Sequence, residues 1–168
     1  MSDAFQKIRD LQEQLKKTIR EEGGKILEGE LKKFMVENPE IDTLLWAQSD
    51  NVYNDETYEF QVFGFDVLPN KDVPWYDVYT EEVADMMGWD KDEVLNRVHF
   101  HGESAYMLGR DGFLSKVAPE HRERLKQIQT SLRAVQRSVP KEVLEHFGNV
   151  SAKVTKDGLH MEDYENDY

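Results

Sequence analysis

Phe5, Ile8, Leu11, Leu15 and Ile19 recur at spacings of 3, 3, 4 and 4, which places them on one face of an amphipathic helix. Ser2 or Asp3 serves as the capping residue at its start. Gly23-Gly24 interrupts the pattern, at a cost of about 1 kcal/mol per glycine if the chain stays helical. The pattern resumes with Ile26, Leu27, Leu31, Phe34 and Met35, and Asn38-Pro39 terminates it. The spacing predicts one long kinked helix or two. A stripe of this kind usually buries against its own molecule, so it is expected to pack on the chain's own sheet rather than in an intermolecular coiled seam.

Residues 44–65 carry a different period. Leu44 and Trp46 share one parity, as do Tyr58, Phe60 and Val62, and a polar, turn-rich run lies between them. Two alternating runs around such a cluster predict a β-hairpin with a long connection. The parity then changes to Phe63, Phe65 and Val67 with Gly64 at the switch, which predicts a bulge or a bend. Residues 70–118 are the least regular and read as an insertion packed over the core. Within them Thr80 caps a short helix through Met87 that Gly88 ends, Asp90 and Glu93 have the spacing of a capping box, and Gly109 to Gly112 reads as a loop.

Order returns after residue 118. Pro119 suits a first helical position, and Leu125, Ile128, Leu132 and Val135 make a helical stripe to about Ser138. A short helix follows Pro140, with Gly148 placed as its C-terminal cap. Val150, Ala152 and Val154 alternate up to Asp157-Gly158, a tight-turn dipeptide, and Leu159 and Met161 alternate back. A two-residue loop there pairs Lys156 with Leu159 and Val154 with Met161. The expected fold is α+β: a two-layer structure in which an antiparallel sheet of about four strands, from two hairpins, is covered by helices, with a long N-terminal helix. One domain is expected over residues 1–168, comprising a helical segment (1–38), the first hairpin (39–68), the insertion (69–118), and a helix with the second hairpin and an acidic tail (119–168).

Composition narrows the class. At 168 residues the chain is long enough to bury a real core, and 18 aromatic residues argue against wholesale disorder. There are no cysteines, which excludes disulfides, thiolate metal sites and cysteine nucleophiles. No apolar run reaches the length of a membrane span, and MSDAFQKIRD lacks an apolar signal core. The expected setting is therefore cytoplasmic, without membrane contact. The net charge is −13, and residues 37–93 alone carry −14. That field repels a nucleic-acid backbone and favours a basic protein surface or cations.

Four pieces stand in order along the chain: Phe34 and Pro39; Trp46, Gln48, Asn54, Asp55 and Phe60 of a Trp-Thr-Gln-Tyr-Thr-Pro-Tyr-Phe-Asn-Asp-Gly-like motif; Phe147, Gly148, Asp157 and Gly158; and Tyr164, Asp167 and Tyr168 of an acidic tail. Together they resemble a family of small bacterial and phage proteins of unassigned activity. Ala47, Ser49, Asp50, Asn51 and Glu56 depart from the motif, and Asn166 stands where the tail has histidine. The resemblance implies a fold outline and a bacterial or phage setting, and no mechanism.

Three functions compete. The first is a non-enzymatic, phage-related module that docks on a basic surface of a host protein, in its sharpest form by mimicking nucleic acid. Trp46, Tyr53, Trp75 and Tyr76 are its candidate anchors and Asp50, Asp55, Asp77 and Asp85 its selective carboxylates. The second is a metal-assisted enzyme. Asn54, Asp55, Asp163, Glu165 and Asp167 offer hard oxygen ligands for a divalent cation, no other cofactor being indicated. His99, His101 and Glu103 form a weaker set of the same kind, which exposed loop histidines explain as well. The third is a self-associating structural protein using the N-terminal helix or a strand edge, which makes a homo-oligomer. The sequence favours the first.

Overall fold

The computed structural model describes residues 3–49, 52–53, 56–57, 60–90, 92–93 and 108–163. The chain runs through a helix α1 (Asp3–Glu37), then strands β1 (Ile41–Ser49), β2 (Val52–Tyr53), β3 (Glu56–Thr57) and β4 (Gln61–Pro69). Helices α2 (Tyr76–Met87), α3 (Asp111–Leu114), α4 (Pro119–Ser138) and α5 (Lys141–Glu145) follow, and strands β5 (Val150–Thr155) and β6 (Gly158–Asp163) close it. The fold is α+β. Its four main strands form an antiparallel sheet in the order β4-β1-β5-β6, so the two hairpins join edge to edge through β1 and β5.

One unbroken helix spans the first 35 described residues, passing through Gly23-Gly24 without interruption. The expected kink is absent because both glycines lie where α5 docks. A Cβ on Gly23 would sit 3.5 Å from Ile19 and 3.8 Å from Val143, and one on Gly24 would sit 3.7 Å from the Phe147 ring. Asn38 ends the helix. Its backbone N–H and its side-chain amide both donate to the Phe34 carbonyl, at 3.0 and 2.8 Å, and Pro39 cannot continue the ladder.

The first hairpin has the anticipated bulge. Leu45 pairs with Asp66 but Ala47 with Phe63, so Gly64 and Phe65 together oppose Trp46. The extra residue turns Phe65 onto the face of Trp46, and their rings meet edge-on at 5.0 Å. In the second hairpin the register differs from expectation: Thr155 pairs with Gly158, Val154 with Leu159 and Ala152 with Met161. Lys156 and Asp157 form the loop, and the Asp157 N–H donates to the Thr155 hydroxyl at 3.2 Å. Gly158 closes the turn at φ 125°, where a Cβ would come within 2.7 Å of a Glu28 carboxylate oxygen. The positive φ is needed one step after the loop, which the dipeptide alone does not reveal.

Residues 69–118 do more than lie over the core. Trp75, Tyr79, Val83, Leu108, Phe113, Leu114 and Val117 belong to it, together with Leu27, Leu31 and Phe34 of α1 and Leu125, Ile128 and Leu132 of α4. Trp75, Tyr79 and Phe113 pack edge-on at 5.6 to 6.2 Å. Helix α2 starts earlier than expected, with Trp75 at the N-cap and Thr80 buried inside, its hydroxyl bonded to the Asp77 carbonyl. Gly88 ends α2 as expected, and does so in the left-handed conformation. Glu93 accepts from the Asp90 N–H at 3.4 Å, the reach-back half of a capping box. Asp111 to Leu114 form one helical turn where a loop is expected. Among the described residues no helix is long and apolar enough to cross a membrane.

Candidate functional site

The aromatic and acidic candidates separate on folding. Trp46 is fully buried and Trp75 is 4% exposed, so neither is a surface anchor. Each indole is committed to the core because its strand or helix end is covered on the side it faces. Trp46 donates through Nε1 to the Gln48 side-chain oxygen at 3.1 Å. Gln48 in turn donates to the carbonyls of Leu144 and Gly148 at 2.6 and 2.8 Å. The Trp and Gln of the sequence motif are thus a structural pair that fastens α5 to the sheet. Both are buried, and a buried amide with three partners is satisfied.

Tyr76, Asp77 and Asp85 remain at the surface of α2, Tyr76 half-buried and both carboxylates exposed. Glu81 is exposed as well, and spacings of four put Asp77, Glu81 and Asp85 along one side of the helix. Glu82, one residue round, is ion-paired with Lys116. That bond, reinforced by the charges of Asp85 and Glu81, raises the Lys116 ammonium above its ordinary range. Tyr53 contributes backbone to β2. Asp50, Asn54, Asp55, Glu165 and Asp167 lie outside the described residues, as do His99, His101 and Glu103. Asp163 ends β6, paired with Val150. Among the described residues no group of three or more His, Asp or Glu comes together as a metal site.

The surface that sequence reasoning misplaced is the first half of α1. Residues 3–18 are exposed without exception. Phe5 is 62% exposed, Ile8 51%, Leu11 58% and Leu15 53%. The expected packing of this stripe on the sheet does not occur, and helical phase explains why. The residues of α1 that do reach the core are Leu27, Leu31, Phe34 and Met35. Leu27 follows Leu15 by twelve positions, which at 100° per residue turns it roughly 120° away. A continuous helix cannot point both stripes at one sheet. The signal was present in the sequence as a phase break across Gly23-Gly24, and a kink there would have hidden it.

At the base of this arm is a groove of about 630 Å³. Gln12, Leu15, Lys16 and Ile19 of α1 form one wall, and Glu145 and His146 form the other. The arm and groove together give a convex apolar ridge leading into a concave, partly apolar cleft.

Fold and surface define an α+β protein with a four-stranded antiparallel sheet and a projecting amphipathic helical arm. No family model matches the chain, no curated protein matches it, and no solved structure matches it.

Proposed function

We propose that this chain is a non-enzymatic protein-binding module whose docking element is the first half of α1. One observation carries the reading: sixteen consecutive helical residues, 3–18, stand clear of the body with four large apolar side chains more than half exposed along one face. A helix of about this length is marginal in water without a packed face, and contiguous exposed apolar surface of this kind marks a contact site. The acidic side of α2, with Asp77, Glu81 and Asp85 beside Tyr76, is a second contact surface and fits a partner that is basic there. The bacterial or phage setting of that partner rests on the resemblance of the sequence motifs.

The test is retention of proteins from a bacterial extract on the immobilised chain. The wild type is compared with a Leu11→Glu, Leu15→Glu variant and with an Asp77→Asn, Asp85→Asn variant. A protein held by the wild type and lost with the arm variant supports the reading, and weakened, less salt-sensitive retention by the α2 variant adds the second surface. Identical retention by wild type and arm variant, with the same melting temperature and the same mass in solution, overturns it.

A further inference from the structure

The reading of α1 as a docking element leaves its occupant open. We propose that the occupant is a second copy of the same chain, its arm laid antiparallel so that Ile8 meets Leu11 and Ala4 meets Leu15 across a two-fold axis. This inference rests on that reading and deepens it.

Three observations select this occupant. The first is the distribution of charge round the arm. With 100° per residue, Ala4, Ile8, Leu11 and Leu15 centre one face, Gln12, Thr18 and Ile19 lie within roughly 70° of that centre, and Phe5 lies at its edge, roughly 90° away. Asp3, Arg9, Asp10, Glu13, Lys16, Lys17 and Arg20 all lie roughly 110° or more away, and Lys7 alone among the charges, at roughly 70°, flanks the seam. A seam with an uncharged interior and charges outside suits another helix of the same kind. The polar side mixes both signs, five cations against three anions over residues 3–20, which is weak attraction for an anionic lipid surface.

The second is self-complementarity. Ala4, Ile8, Leu11 and Leu15 are spaced 4, 3 and 4, a palindromic pattern, so reversing one arm superposes apolar on apolar at every step. An isologous contact requires this of a surface. Covering the exposed half to two-thirds of each of four large apolar side chains buries on the order of 450 Å² per copy, about 900 Å² for the pair before the flanking stems are counted, which is the size of a weak, reversible interface.

The third is the groove. In the antiparallel register Phe5 of the second copy comes level with Gln14, one residue from Leu15, on the same edge of the seam as Gln12 and Ile19. Side chains tilt toward the N-terminus of their own helix, which directs that ring toward Ile19 and into the groove closed by Glu145 and His146. The most exposed of the four stripe residues thereby fills the cavity beside the stripe. The antiparallel sense also sets the two bodies, each carrying −15 once the +2 of residues 3–20 is set aside, at opposite ends of the seam. A parallel pair would bring them side by side.

The test uses the full chain. Sedimentation velocity at about 50 μM is expected to give twice 19.7 kDa for the wild type, and Leu11→Glu is expected to weaken the dimer at least about a hundredfold. Far-ultraviolet circular dichroism and the melting temperature of the body check that the variant is folded. The chain has no cysteine, so introduced thiols report geometry cleanly. Ala4→Cys mixed with Leu15→Cys is expected to oxidise to a heterodimer far faster than either variant alone. Rapid linkage of Ala4→Cys to itself would overturn the antiparallel register in favour of a parallel one. A wild type that stays at 19.7 kDa overturns self-pairing. The retention experiment then decides the docking reading separately, and binding of that monomer to phosphatidylglycerol vesicles would assign the arm to lipid instead. A dimer unmoved by Leu11→Glu overturns pairing through the arm.

Discussion

Tyr79 closes the open edge of the sheet. β4 is an edge strand, and the buried Tyr79 hydroxyl donates to the Val67 carbonyl at 2.8 Å while the ring packs on Trp75 and Phe113. Burial, with the charge of Asp66 second, pushes its phenol well above the ordinary range. The neutral form is therefore favoured in the folded state: its contribution is complete below the unfolded phenol's value and is lost as pH rises beyond it. Tyr79→Phe keeps the rings and removes the donor, and is expected to lower the unfolding free energy by about 1–2 kcal/mol in urea with an unchanged slope. Arg124 does comparable work between α4 and the start of β1. Its Nε and Nη2 reach the two Glu40 carboxylate oxygens at 2.5 and 2.9 Å. The hydrogen bond from Arg124 holds the Glu40 carboxyl below its usual value. The stability it supplies is present above the unfolded carboxyl's value and is lost as pH falls through the folded one. Glu40→Gln is expected to cost about 1 kcal/mol at neutral pH and less in acid, which urea unfolding along a pH series will measure. Neither pair was legible beforehand, because each joins residues far apart in sequence.

At the scale of elements, periodicity located most of the structure and failed where a face had two answers. The stripe from Leu125 to Val135, the short helix after Pro140, the bulge at Gly64 and the left-handed Gly88 all stand where hydrophobic spacing and glycine placed them. Trp46 shows the limit. It alternates like a half-exposed strand residue, yet β1 is buried at eight of its nine positions, and alternation cannot tell which faces are covered. The acidic, turn-rich look of residues 70–90 likewise concealed Trp75 and Tyr79 as core residues. The glycines of α1 give a sharper test. A Cβ at Gly24 makes only ordinary contact with Phe147, and one at Gly29 meets nothing within 4 Å. Gly24→Ala and Gly29→Ala should each raise stability, by about 0.5–1 kcal/mol, seen as a higher melting temperature. A fall at Gly24 would mean that the helix bends there after all. Gly158→Ala should do the opposite and cost about 1–3 kcal/mol, because its φ and the Glu28 carboxylate both exclude a side chain.

For the whole molecule the sequence disclosed the fold class and the uneven charge, but not the surface that matters most here. Density of aromatic residues pointed to Trp46 and Trp75, which folding removes from view. The apolar stripe from Phe5 to Leu15 was visible, and the default that such stripes bury within their own molecule assigned it to the core. What decides its fate is the angle between it and the stripe from Leu27 to Met35, a relation between two halves of one helix that neither half displays. The resulting molecule separates two roles: a strongly acidic body held by one core, and a mildly basic arm carrying the exposed apolar face. A body of this charge keeps copies apart except where the arms meet, so association should strengthen as salt screens the repulsion between bodies. Dimer dissociation constants at low and moderate salt will measure that, and a constant that rises with salt would contradict it.

The most direct measurement is hydrogen exchange along α1 at a concentration where the arms are paired. Amides of residues 7–18 in the wild type are predicted to be protected well beyond a frayed helix end, and Leu11→Glu is predicted to erase that protection while leaving the slow amides of β1 and β5 unchanged. Equally fast exchange in wild type and variant would mean that nothing covers the arm, and would contradict the account.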